Sequence, residues 1–235
     1  MIEWAHGSIR IDDISEVVKD LFALEIFTTI NMDSTTISRS PDNRYKVTLN
    51  TSQVPFASSH WSREFEYPWA LRMAELVDGL SVLDAGGGLC PFQLLMALRG
   101  ANVVNVEIDR NIIAHARRTY IFQMLRQIRF AHGDILNLDF PDGTFDRTVC
   151  ISVLEHCRNR KRAFDELYRV TKPGGRLIVT MDVMERPAAG APSEEDVAFF
   201  LEPYGLSLPP KPSTILRRLI EGVSMSVLCV RIDKP

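Results

Sequence analysis

The residues best suited to chemistry lie in Val82-Leu-Asp-Ala-Gly-Gly-Gly-Leu-Cys-Pro91. A buried strand would deliver Asp84, the glycines would turn the chain, and Pro91 suits the first position of a helix. Glycine is needed where a ligand approaches the backbone closely, because any Cβ would stand in the way. Glu107 closes Val103-Val-Asn-Val-Glu107, 23 residues after Asp84. A carboxylate there can accept hydrogen bonds from both hydroxyls of a ribose. Asp134 follows 27 residues later in His132-Gly-Asp-Ile135. It can accept from an exocyclic amino group of a base, with Ile135 as an apolar wall. Each feature alone also has a plainer reading: a tight connection, a solvated acid, a turn cap.

These residues need strands that end together. Leu80–Leu83, Asn102–Ile108, Ile128–His132, Phe145–Ser152 and Arg176–Asp182 read as strands, and Pro91–Leu98, Arg110–Arg126 and Lys161–Thr171 as helices. The alternation implies an α/β fold, a mainly parallel sheet with helices on both faces. Its ligand crevice would lie beyond the strand ends. Lys172-Pro-Gly-Gly175 marks a sharp helix-to-strand junction. A loop over Glu185–Ser193, a helix near Glu194–Leu201 and a hairpin of Thr214–Ile220 and Val223–Ile232 would complete the sheet.

Residues 1–79 read as a mostly helical cap before the core at 80–235. Asp12–Ile30 has helical spacing, and the polar stretch Asn31–Arg44 ends in turn chemistry at Pro41-Asp-Asn43. Trp61-Ser-Arg-Glu-Phe-Glu-Tyr-Pro-Trp69 leads into a helix through Val77. Trp61, Arg63 and Tyr67 could wall an acceptor pocket, or pack as aromatics on the sheet.

With 235 residues of near-average composition, the chain is long enough for a full core and excludes collagen-like or disordered readings. Its 27 basic and 30 acidic residues give no global field for gripping nucleic acid, which is not an expected partner. No apolar run approaches ~18 residues and no leader pattern opens the chain, so a cytoplasmic protein with no membrane partner is expected. Cys90, Cys150, Cys157 and Cys229 lie too far apart for a zinc ribbon or dithiol site and read as reduced core thiols. No metal is expected.

As an ordered set, Asp84-Ala-Gly-Gly-Gly88, Glu107, Gly133-Asp134, Phe145-Asp146 and Lys172-Pro-Gly-Gly175 resemble the class I S-adenosylmethionine-dependent methyltransferases, in particular the methyltransferase type 11-like group. Pro141-Asp-Gly-Thr-Phe-Asp146 and Leu154-Glu-His156 add to the likeness, which spans about 80–183. The resemblance implies a Rossmann-like, doubly wound sheet of seven mostly parallel strands with an antiparallel last strand. It also implies S-adenosyl-L-methionine as cofactor. Asp84 and Ala85 would lie near its amino group, Gly86 and Gly88 near its methionine part, and Glu107 on its ribose. Ile108 would pack on adenine, and Asp134 and Ile135 would frame the base. Two positions depart from the pattern: Cys90 replaces a glycine, and Glu107 replaces the more frequent Asp.

The implied activity is methyl transfer to oxygen, nitrogen or carbon of a small molecule. The activated sulfonium leaves the protein to align the acceptor and exclude water, and to supply a base where the acceptor holds its proton. His156 is the candidate base. An acidic pair and a His in this segment bind a divalent metal in some quinone-pathway O-methyltransferases, but here Ser152 holds the first acid position, leaving Glu155 and His156. Two rival readings are a non-catalytic S-adenosylmethionine-binding scaffold and an NAD-dependent oxidoreductase. The latter's Gly-x-Gly-x-x-Gly pattern is broken, since from Gly86 it reaches Pro91 and from Gly87 it meets Leu89.

Overall fold

A computed structural model describes residues 1–4, 35–39, 45–49, 63–88, 91–118, 126–185, 191–211, 217–220 and 223–235. Apolar alternation puts Val82 on one face of β4 (Ser81–Ala85) and Leu83 and Ala85 on the other, so the strand serves two cores. Parallel pairing continues from β4 to β5 (Asn102–Glu107) and β6 (Ile128–His132) on one side. On the other side β4 pairs with β7 (Phe145–Ile151), and β7 with β8 (Thr171–Met184). The chain therefore reverses its direction of travel across the sheet between β4 and β7, the switch point where such sheets hold ligands.

Beyond β8 lies β10 (Val223–Asp233), antiparallel to it over nine residue pairs. The far edge of β10 is shared end to end by two short strands. β1 (Ile2–Trp4) pairs with residues 228–230 and β9 (Arg217–Ile220) with residues 223–226, both antiparallel. Only β10 in this eight-stranded sheet thus runs against the others. The seven strands expected are present with the last one antiparallel, and β1 is an eighth.

Helices cover both faces. α1 (Arg63–Ala74), α2 (Pro91–Leu98) and α3 (Arg110–Arg118) bury Trp69, Phe92, Leu95, Met96 and Ile113 on one. α4 (Arg160–Val170) and α5 (Glu194–Leu201) bury Phe164, Leu167 and Phe200 on the other. Their starts are fixed by local chemistry. The Asn159 side chain accepts from the Arg162 N–H, and Ser193 and Asp196 form a capping box, each worth ~1 kcal/mol. The C-terminal carbonyls of α1 are capped from the sheet: Arg176 donates to Met73 O and Arg147 to Ala74 O. Arg147 and Arg176 are register partners on β7 and β8, so one pair of neighbouring guanidiniums seats the helix.

Three features differ from the sequence reading. Residues 1–79 are not uniformly helical: besides α1 they hold β1 and a hairpin of β2 (Thr35–Arg39) and β3 (Tyr45–Leu49), with Pro41-Asp-Asn43 between its strands. The expected helix Asp12–Ile30 lies outside the described residues, as do residues 119–125 of Arg110–Arg126. Lys172-Pro-Gly-Gly175 lies inside β8 rather than before it. Thr171 pairs with Phe145 and Arg176 with Arg147, so the motif is an excursion of the strand. Gly174 N–H donates to Lys234 O and Lys234 N–H to Gly175 O, tying the excursion to the end of the chain.

Candidate functional site

The register aligns Ala85 with Val106 and Glu107 with His132, so β4, β5 and β6 finish at one level. Asp84, one residue before the end of β4, is 1% exposed. Gly86 then turns the chain at φ 69°, a left-handed conformation that costs glycine little, and its N–H donates to Val106 O at 2.8 Å. Gly87 is glycine for a different reason. A Cβ there would stand 1.9 Å from Asp84 Oδ2 and 2.6 Å from Asn105 Nδ2. The glycine turn therefore lies flat on the buried carboxylate, with no room between them.

Two amides support this turn from below. Gln93 Nε2 of α2 donates to Gly87 O (3.0 Å) and Gly88 O (2.9 Å), and Asn105 Nδ2 donates to Gly88 O and Asp84 Oδ2, both at 3.2 Å. Both residues are fully buried, and Gln93 Oε1 and Asn105 Oδ1 have no hydrogen-bond partner among the described residues. Burial raises the Asp84 carboxyl to about 6, against the lowering effect of the Gln93 and Asn105 amides, with the Glu107 charge adding a smaller rise. Sequence reasoning passed over Gln93 and Asn105. The available signal was a polar amide at an otherwise apolar position, in Phe92-Gln-Leu-Leu and in Val103-Val-Asn-Val.

Glu107 is 8% exposed, and its carboxylate accepts backbone N–H bonds from both sides. Oε1 takes Ile108 N (2.8 Å) and Asp109 N (3.0 Å), and Oε2 takes Gly88 N (3.2 Å). The acid thus clasps the glycine turn to the loop after β5, which orients it before any ligand arrives. Ile108 beside it is 63% exposed, an apolar side chain left in the open at the crevice rim. Asp134 is exposed and its Oδ1 accepts from Leu136 N at 2.9 Å, a turn bond that fixes the carboxyl next to buried Ile135. Gly133 N–H donates to Glu107 O at 3.1 Å and joins this loop to the other two.

The segment after β7 forms the opposite wall. A Cβ on Gly86 would meet the Val153 methyls at 2.7 and 2.9 Å, so the two turns touch. Ser152 takes φ 48°, and Leu154–His156 form a short 3-10 turn. The turn buries Leu154 and Glu155 and leaves His156 exposed. The proposed base therefore faces solvent, and its neighbour faces inward. From α1, Glu66 reaches this wall: its Oε1 accepts from Ser152 Oγ at 2.6 Å and from Thr180 Oγ1. Tyr67 stacks on Phe92 of α2 at 5.0 Å between ring centroids, and Trp69 donates to the Glu3 carboxylate. Trp61 lies outside the described residues, and the structure describes only the backbone of Arg63, the first residue of α1. Among the described residues no group of His, Cys, Asp and Glu side chains could hold a metal ion. Cys150 and Cys229 are buried, as expected of core thiols.

The Phe145-Asp146 and Lys172 motifs explain each other. Asp146 accepts from Ser81 N (2.9 Å), Ser81 Oγ (2.6 Å) and Lys172 Nζ (2.8 Å), so it staples β4, β7 and β8 at their starts. These bonds, led by Lys172 and Ser81, outweigh desolvation and hold its carboxyl down at about 2.

The segment that carries these features is similar to known proteins. Residues 83–179 match the family model described as a methyltransferase domain. Over this stretch the chain is similar to methyltransferase domains. It is 37% identical over 99 residues to a malonyl-[acyl-carrier protein] O-methyltransferase of Pectobacterium atrosepticum, covering 41% of this chain and 36% of that one. It is 37% identical over 100 residues to the demethylmenaquinone methyltransferase of Thermus thermophilus, covering 42% and 45%. The chain thus spans less than half the length of these curated relatives. Among solved structures, a SAM-dependent methyltransferase from Aquifex aeolicus shares the fold, with a TM-score of 0.53 at 18% identity over 72% of this chain and 92% of that one. No helix among the described residues is long and apolar enough to cross a membrane.

Proposed function

We propose that the chain is an S-adenosylmethionine-dependent methyltransferase acting on a small-molecule acceptor. The observation that carries this reading is the Glu107 clasp. A carboxylate already oriented by Gly88, Ile108 and Asp109 keeps further lone pairs at the crevice, the acceptor set that a ribose diol needs. Exposed Ile108 offers an apolar face for adenine, with Asp134 and Ile135 framing the base. Asp84 and Ala85 lie at the amino-acid end of the cofactor, and Gly86 and Gly88 shape the backbone against its methionine part. Curated relatives that match the core are methyltransferases of small or carrier-bound acceptors, and the Aquifex aeolicus neighbour is a SAM-dependent enzyme.

When bound, S-adenosylmethionine supplies an activated methyl group. The protein's own work is alignment and the exclusion of water. α1 contributes by placing Glu66 and Tyr67 at the crevice wall, and Trp61 and Arg63 are further candidates for contact with the acceptor. Where the acceptor carries a proton, His156 on the open side of the turn and Glu155 on the buried side are the two groups placed to receive it. A cytoplasmic setting fits this chemistry.

Thermal unfolding with and without S-adenosylmethionine tests the assignment. A ligand-dependent rise in Tm is expected for the wild type and a much smaller one for Glu107→Ala. Equal rises in both proteins would remove Glu107 from the cofactor site.

A further inference from the structure

Past the end of β7 the fold buries three acidic side chains near one another, and cofactor binding uses none of them. Glu66 comes from α1, Glu155 from the turn after β7 and Asp182 from β8, at 0%, 5% and 6% exposure. Glu66 is satisfied by the Ser152 and Thr180 hydroxyls. Glu155 is not. Its Oε1 meets the Asp182 N–H at a long 3.4 Å, and its Oε2 is buried with no hydrogen-bond partner among the described residues. A buried polar atom left unpaired is costly, and one that persists calls for a functional role or a bound water or ion. The location fits a ligand. Glu155 stands two residues after Val153, whose methyls touch the glycine turn of the cofactor crevice.

We propose, resting on the reading that S-adenosylmethionine fills that crevice, that the methyl acceptor is an amine and that Glu155 receives its N–H proton. The amine lone pair forms the new N–C bond, the C–S bond breaks, and its electron pair stays on sulfur as the neutral thioether. The N–H proton passes to the Glu155 carboxylate, and nitrogen keeps that bonding pair. The positive sulfonium and the negative carboxylate are neutralised together, so the pocket is left with no net new charge. An amine also suits the pocket before reaction. Its N–H can donate to Oε2, which no group among the described residues does, whereas a carboxylate acceptor would meet like charge on Glu66 and Asp182.

The protonation equilibrium of Glu155 supports the role. Burial first, and then the charges of Asp182 on β8 and Glu66 on α1, raise its carboxyl to about 8. Cys150 of β7 and Cys157 feel its charge in turn. Arg160 donates to the Glu155 backbone carbonyl at 3.0 Å. The carboxyl is therefore mostly protonated in neutral solution without ligands, and the positive sulfonium shifts it toward the form that accepts a proton. Transfer requires both the carboxylate and the neutral amine, so the rate rises with pH and levels off once Glu155 is ionised and the amine has lost its ammonium proton.

The test assays the full chain for S-adenosylhomocysteine formation with benzylamine and N-methylbenzylamine as probes against benzyl alcohol and benzoate. Calorimetric titration with S-adenosylmethionine runs alongside. Methylation of the amine probes is expected, with kcat/KM rising toward a plateau as Glu155 ionises and the amine loses its ammonium proton. Glu155→Gln should lower kcat by ~100-fold or more, with S-adenosylmethionine affinity retained and partial recovery in Glu155→Asp. Three results overturn the proposal: transfer confined to the alcohol or benzoate, no transfer to either amine, or wild-type turnover in Glu155→Gln. A larger loss in His156→Ala than in Glu155→Gln assigns the proton to His156 and also overturns it. Absence of S-adenosylmethionine binding instead removes the cofactor reading underneath. Infrared spectra of glutamate-labelled protein give a check free of any acceptor. A protonated carboxyl band at neutral pH that titrates near pH 8 and vanishes in Glu155→Gln supports the proposal, and its absence from the wild type contradicts it.

Discussion

Asp84→Asn should make the protein more stable at neutral pH and a poorer binder of its cofactor. The Asp84 carboxyl is 1% exposed and is held at about 6 instead of 3.8, chiefly by desolvation. A folded-state value above the unfolded one means that the native state prefers the protonated acid. Its stability contribution is therefore full below about 3.8, falls as pH rises to about 6, and stays constant above that. The interval corresponds to roughly 3 kcal/mol at ~1.4 kcal/mol per pH decade. That value already includes the bonds from Gln93 and Asn105. Asparagine removes the penalty, keeps an oxygen for Asn105 Nδ2, and gains an NH2 that Gln93 Oε1 or Asn105 Oδ1 can accept, both being without partners among the described residues. Urea unfolding of both proteins at a series of pH values isolates this contribution, because other carboxylates cancel in the difference. The stability of Asp84→Asn relative to wild type should climb by roughly 3 kcal/mol between about pH 4 and pH 6.5 and then level off. A difference that does not change with pH would refute the argument that Asp84 is ionised at a cost. The variant should bind S-adenosylmethionine more weakly, since on the proposed reading the charge that destabilises the empty fold faces the cofactor's amino group.

Other expectations follow from the same geometry. Gly87→Ala should lose several-fold or more in cofactor affinity and ~1–3 kcal/mol or more in stability, because its Cβ would overlap Asp84 Oδ2; unchanged urea midpoints and affinity would show that the turn can move aside. Gly86→Val should also weaken binding, through its positive φ and the clash with Val153 rather than by filling the crevice, and the double variant with Val153→Ala should recover only part of the loss if φ matters. Asp146→Ala should cost ~1–3 kcal/mol by breaking the staple to Ser81 and Lys172, with little effect on cofactor affinity in the folded fraction. Because the Asp146 carboxyl is lowered to about 2, its contribution is present above about 3.8 and fades as pH falls toward about 2, a trend the variant should lack.

The parts of the fold that were legible in the sequence are those fixed by short-range patterns. The strand, turn and helix around Asp84-Ala-Gly-Gly-Gly88, the α5 start at Ser193 and the hairpin ending in Val223–Asp233 each carry their own signals within a few residues. What escaped depends on partners far along the chain. Ile2–Trp4 is a strand only because β10 offers an open edge more than 220 residues away, and three residues hold no period to read. Glu66 looked like one charge in a helical segment, and its meaning comes from Ser152 and Thr180, 86 and 114 residues distant. The Lys172-Pro-Gly-Gly175 motif was legible as a landmark but not as an excursion of β8, which the pairing of Thr171 and Arg176 with Phe145 and Arg147 reveals. In the site, residue types pointed to Glu107 and Asp134, whereas the contrast between exposed His156 and buried Glu155 could not be read from adjacent letters.

The central claim is that the crevice above Glu107 and the glycine turn holds S-adenosylmethionine. Calorimetric titration of the purified protein with S-adenosylmethionine, S-adenosylhomocysteine and NAD in parallel tests it most directly. Binding of the two sulfur ligands with no heat from NAD is the predicted result, and binding of NAD alone, or of none of the three, would contradict the account.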